Sequence, residues 1–128
     1  MALDSPKFIA GLQAGGDLSS DQFKLVERHT TANQVVVCNA VTDYPIGVLY
    51  NKPDAAGKGA DVAAIAGGTI VKVKVGSGGV SAGDEVAPNS SGLLIPTTTT
   101  GHFSIGTVLQ DYSENDLAEV HCNFHELA

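Results

Sequence analysis

Apolar residues recur along this chain with period two, and nowhere with the sustained three-to-four spacing of a helix. The clearest stretch is 69–75, where Val71, Val73 and Val75 alternate with Ile70, Lys72 and Lys74. One face is apolar and core-directed; the two lysines stand in solvent or guard a sheet edge. Residues 119–125 alternate as well. Val120, Cys122 and Phe124 are predicted inward, and Glu119, His121, Asn123 and His125 outward. Val35-Val36-Val37-Cys38 is a four-residue apolar run, short enough for a strand buried on both faces. Phe23 to Arg28 and Ile46 to Tyr50 are further strands, and 61–65 is a weaker one because of its alanines. Turn signals separate these runs: Thr30-Thr31-Ala32-Asn33, Asp43-Tyr44-Pro45, the polar loop 51–59, and Gly76-Ser77-Gly78-Gly79. The pattern predicts an all-β domain, a compact β-barrel or β-sandwich of about nine or ten short strands.

The strands come in two similar series. Ile46-Gly47-Val48-Leu49 returns 59 residues later as Ile105-Gly106-Thr107-Val108-Leu109. Upstream, Phe23-Lys24-Leu25-Val26 and 35–38 are echoed by Asp84-Glu85-Val86-Ala87 and Leu93-Leu94-Ile95. Downstream, 61–65 is echoed by 117–122. This predicts a pseudo-twofold internal repeat within one domain spanning 17–128. Two units are too few for a solenoid.

Residues 1–16 lack sustained periodicity. Pro6, Gly11, Gly15 and Gly16 interrupt them, while Leu3, Phe8, Ile9 and Leu12 are apolar. The expectation is an extended N-terminal arm, with those four residues as candidates for packing on a partner. A frayed terminus is the alternative.

A chain of 128 residues buries about two-thirds of its unfolded surface, enough for one core. Aromatics are only 5% and Trp is absent, so that core is aliphatic. A net charge of −7 argues against nucleic acid and anionic membranes as partners, since both need clustered Lys and Arg. No apolar run approaches the ~20 residues of a membrane span, and the N-terminus has no signal-peptide pattern. Cys38 and Cys122 are in no C-x-x-C pair and are expected to be small buried hydrophobes, although a disulfide is not decided by sequence.

Candidate chemistry is sparse. His121, Cys122 and His125 are the one metal-like cluster. On a regular strand the two histidines stand about 13 Å apart and the cysteine faces the other way, so no zinc site is expected. No G-x-S-x-G elbow or G-K-[ST] loop occurs. Asp84-Glu85 and Asp111, Glu114 and Asp116 are expected to be solvated turns. No enzyme activity, cofactor or metal is therefore expected.

Several phrases together resemble the small capsid cement, or decoration, proteins of phages. They are Gly15-Gly16-Asp17-Leu18-Ser19 followed by Gln22-Phe23-Lys24-Leu25-Val26, then Ile46-Gly47-Val48-Leu49-Tyr50-Asn51-Lys52-Pro53 and Ala60-Asp61-Val62. Val80-Ser81-Ala82-Gly83-Asp84-Glu85-Val86, Gly92 and the second Ile-Gly phrase follow in the same order. The resemblance covers about residues 11–124. It implies a β domain made in the host cytoplasm that binds the outside of an assembled head, often as a homotrimer. There it would contact the major capsid protein and reinforce the shell against internal DNA pressure. The family has no catalytic residues to carry over. A β-barrel carrier module, modified on Lys72 or Lys74, and a phage tail or fibre component are the competing expectations.

Overall fold

The computed structural model describes residues 6–128. Eleven strands form two sheets, and the described residues contain no helix. The strands are β1 (Phe8–Ile9), β2 (Gln13–Ala14), β3 (Leu25–Arg28), β4 (Gln34–Val37), β5 (Gly47–Leu49) and β6 (Val62–Ala64). They continue with β7 (Ile70–Lys74), β8 (Glu85–Pro88), β9 (Leu94–Pro96), β10 (Phe103–Val108) and β11 (Leu117–Glu126). One sheet has the order β1-β6-β5-β3-β4-β2, the other β7-β11-β10-β8-β9. The all-β expectation holds, in its sandwich-like form and with eleven strands where the pattern predicts about nine or ten.

Both sheets curl. β1 and β2 are the outer strands of the first, yet only residues 10–12 separate them. Four Cα–Cα steps reach at most about 14 Å. The outer strands of a flat six-stranded sheet would lie about 24 Å apart. In the second sheet Val75, directly after β7, bridges Leu94 of β9 in parallel. Each sheet thus brings its edges together without a continuous ladder, and neither is a closed barrel.

The sequence repeat is a repeat of topology. β3 to β6 and β8 to β11 have the same spatial order, and β1 flanks β6 as β7 flanks β11. The parallel pairing of β2 with β4 has its counterpart in the Val75–Leu94 bridge. This corrects the extended arm. From Phe8 onward the segment supplies the first strand of the first unit, with Phe8 opposite Ala63 and Ile9 opposite Val62. Gln13 and Ala14 pair with Gln34 and Val35, and Ala14 is wholly buried. Two-residue strands are too short to show a period, which is why the pattern concealed them. Leu3 lies outside the described residues.

The glycines of the repeated phrase explain its recurrence. Gly47 sits between β3 and β6, and Gly106 between β8 and β11. A Cβ on Gly47 would strike the Ala63 carbonyl and the Val62 side chain; one on Gly106 would strike the His121 carbonyl. Gly106 also has φ +151°. The tight curl needs the missing side chain at the centre of each sheet.

Two apolar clusters fill the molecule. The larger joins Val71, Val73, Val75, Val86, Ile105, Val108 and Val120 of the second sheet to Leu25, Val48 and Ala63 of the first. The smaller holds Ala14, Leu18, Val26, Val35, Leu49, Ala60 and Val62. Adjacent residues such as Leu25 and Val26 enter different clusters, so β3 is buried on both faces. The seven second-sheet residues just named are fully buried, Val71, Val73, Val75 and Val120 among them as alternation predicts. Phe124 is not: it is half-buried. Between the pairs Gly106–Cys122 and Ser104–His125, β11 advances three residues while β10 advances two. The extra residue is a bulge, and it interrupts the alternation.

Candidate functional site

The predicted contact residues do not act as one arm. Phe8 is exposed and sets its ring edge-on to Tyr50 at 5.5 Å, and Tyr50 meets Phe23 at 5.2 Å. Ile9 and Leu12 pack instead against the smaller cluster. They serve the fold, leaving Phe8 as the outward apolar group of β1.

A second aromatic group was not legible in the sequence. Tyr44, in the β4–β5 connection, meets Phe103 at 4.9 Å and Phe124 at 4.8 Å, while Phe103 and Phe124 stack at 5.6 Å. Tyr44 is 59% exposed. A shallow apolar cavity of about 290 Å³ adjoins it, lined by Pro45, Ile65 and Phe124 among others. Six of the seven aromatic residues fall in these two surface groups. Their positions are far apart along the chain, so only the topology unites them.

A polar cavity of about 350 Å³ lies where loops of both sheets meet. Its lining includes Ser19, Ser20, Phe23, Lys52, Lys74 and Asn115, and no carboxylate. Phe23 and Asn115 have φ of +69° and +70°.

One titratable cluster also escaped the sequence reading. Oxygens of Glu27 and Asp43 and the sulfur of Cys38 lie within 4.8 Å of one another. Burial, then the hydrogen bond and charge of Asp43, raises Glu27 to about 7. Asp43 is held low: burial opposes this, but hydrogen bonds from Glu27 and from the Asn39 and Ala40 amides outweigh it. Burial, reinforced by both carboxyls, pushes the Cys38 thiol far up. These three are the described residues best placed to hold a metal. A metal would have to displace the thiol proton and the proton shared by the carboxyls.

The other sequence candidates are dispersed. Cys38 and Cys122 are buried free thiols, and burial also raises Cys122. His125 Nε2 lies 2.8 Å from Glu85 Oε1 across the sheet. His121 pairs with Thr107, on the other side of the bulge. Lys72 and Lys74 sit on an outer strand, as expected.

No protein-family model matches the sequence, and no curated protein matches it. Among solved structures, the crystal structure of the head fiber gp8.5 N base of bacteriophage phi29 is similar. The TM-score is 0.72 at 15% identity, over 98% of this chain and 99% of that one. At that identity the likeness is one of fold, and it extends over essentially the whole of both chains.

Proposed function

We propose that this chain is a structural protein of a phage head, a decoration protein attached to the outer surface of the assembled shell. The observation that carries this reading is the full-length fold likeness to a phage head fiber base. The ordered series of phrases resembling cement proteins supports it from an independent direction. The partner is the shell's major capsid protein, the working form is a homo-oligomer with a trimer favoured, and no catalysis or cofactor is involved. A net charge of −7 keeps such a protein soluble before it attaches. Attachment then draws on many copies of a modest interface.

The same likeness favours a second reading, in which the domain is the base of a projecting fibre. Both place it on a head; they differ in what else the base carries.

The experiment mixes purified chain with undecorated mature heads of its phage and measures occupancy and resistance to rupture. Saturable binding with a raised rupture threshold is expected. Binding without reinforcement favours the fibre base, and absence of binding overturns both.

A further inference from the structure

We infer that the polar cavity holding Lys52 and Lys74 is an oxyanion-binding site that takes a single carboxylate or phosphate group. Lys74 ends β7 and Lys52 lies in the loop after β5, so the two sheets contribute one cation each. Neither lysine has an ion-pair partner among the described residues, whereas Lys24 pairs with Asp21 and Lys58 with Asp54. In a chain with twice as many acidic as basic residues, two unpaired lysines sharing a carboxylate-free cavity are unexpected. The hydroxyl of Ser20 adds a neutral donor to the same lining, while that of Ser19 already donates to Asp17 Oδ1 at 2.7 Å.

The backbone gives an independent reason. Three described residues other than glycine have positive φ, and two of them, Phe23 and Asn115, line this cavity. A bulky residue in that region is a genuine outlier. Phe23 is held there from both sides: its N–H donates to the Leu49 carbonyl at 2.6 Å, and its carbonyl accepts from the Lys74 amide at 2.8 Å. Asn115 is held by its N–H to the Val75 carbonyl at 2.9 Å. Asparagine enters this region readily, so the strain lies at Phe23, and strain that the surroundings fix in place concentrates at binding sites.

Charge limits the ligand. Glu114 and Asp116 flank Asn115 in the chain, and residues 76–128 contain no Lys or Arg. A polyanion passing through the site would run into those carboxylates, whereas one small oxyanion can be met by the two lysines and the Ser20 hydroxyl of a lining without carboxylates. This inference does not depend on attachment to a head.

The test titrates the full chain with inorganic phosphate, and separately with acetate, at fixed ionic strength maintained by chloride, following backbone amides by NMR. Saturable shifts centred on residues 19–23, 52, 74 and 115 are expected with at least one of the two. Saturation by phosphate alone or by acetate alone identifies which group the site takes. Replacing Lys52→Ala with Lys74→Ala should weaken binding about tenfold or more, equal to about 1.4 kcal/mol. Lys58→Ala should leave it unchanged, and Lys52→Arg with Lys74→Arg should largely retain it. Shifts that stay linear with both anions, or an affinity unmoved by the double alanine variant, overturn the inference.

Discussion

Each of Gly47 and Gly106 lets a neighbouring strand approach closer than any side chain would allow. Gly47→Ala and Gly106→Ala should therefore each cost at least about 2 kcal/mol, measured by urea denaturation. A cost below about 0.5 kcal/mol would mean that the sheets relax without difficulty. Phe124→Ala should cost about 1–2 kcal/mol, less than the 3–5 kcal/mol of a fully enclosed phenylalanine, because it is only half-buried. Glu27 makes stability depend on pH. Its pKa rises from 4.5 to about 7 on folding, so between those values the folded state holds more protons. Stability should fall as pH rises through that window. Glu27→Gln should flatten the slope between pH 4.5 and about pH 7, read from denaturation midpoints. Asp43 acts in the opposite sense and outside the window: its contribution is lost as pH falls below the ordinary aspartate range. Periodicity located the buried valines, but not these effects. Glu27, Cys38 and Asp43 have no metal-like spacing, and the bulge that exposes Phe124 leaves no mark in an alternating sequence.

At the scale of strands, the two halves show what a sequence can and cannot disclose. β7 is five residues long with clean alternation and was legible. Its counterpart β1 has two residues and was not, although the repeat places it in the same position. The pairing of 23–26 with 84–87, and of 61–65 with 117–122, was legible because each unit needs the same inward residues around its central glycine strand. The edges were not, because they are defined by hydrogen bonds to β6 and β4 and hardly by side chains. Truncation tests their role. A chain beginning at Gly15 loses β1 and β2 and uncovers the cluster around Val26, Val35 and Val62. It should melt several degrees lower, with faster amide exchange in β4 and β6. An unchanged melting temperature would restore the reading of residues 1–16 as an arm outside the β domain.

Charge is distributed unevenly over the whole molecule. All seven Lys and Arg residues lie between Lys7 and Lys74, while residues 76–128 carry seven of the fourteen Asp and Glu. The net −7 therefore belongs to β8–β11 and their connections, and the rest of the chain is balanced. This bears on assembly. A surface without cations cannot offer ion pairs to an identical copy, so contacts between copies that involve the acidic region must be apolar or made to the basic residues of the other half. Among the described residues, the exposed rings of Phe8 and Tyr44 are the large apolar groups available in the balanced half. Bringing copies together also concentrates like charge, a cost that salt reduces because the Debye length falls from about 30 Å at 0.01 M to about 3 Å at 1 M. If the chain forms a trimer through apolar contacts, self-association should tighten as salt rises, read by sedimentation equilibrium over that range. Phe8→Ser combined with Tyr44→Ser should then weaken association at every salt concentration while leaving the fold intact, since both rings are more than half exposed. Association that instead weakens with salt would show that ion pairs join the copies, and would move the interface to the boundary between the basic and acidic halves.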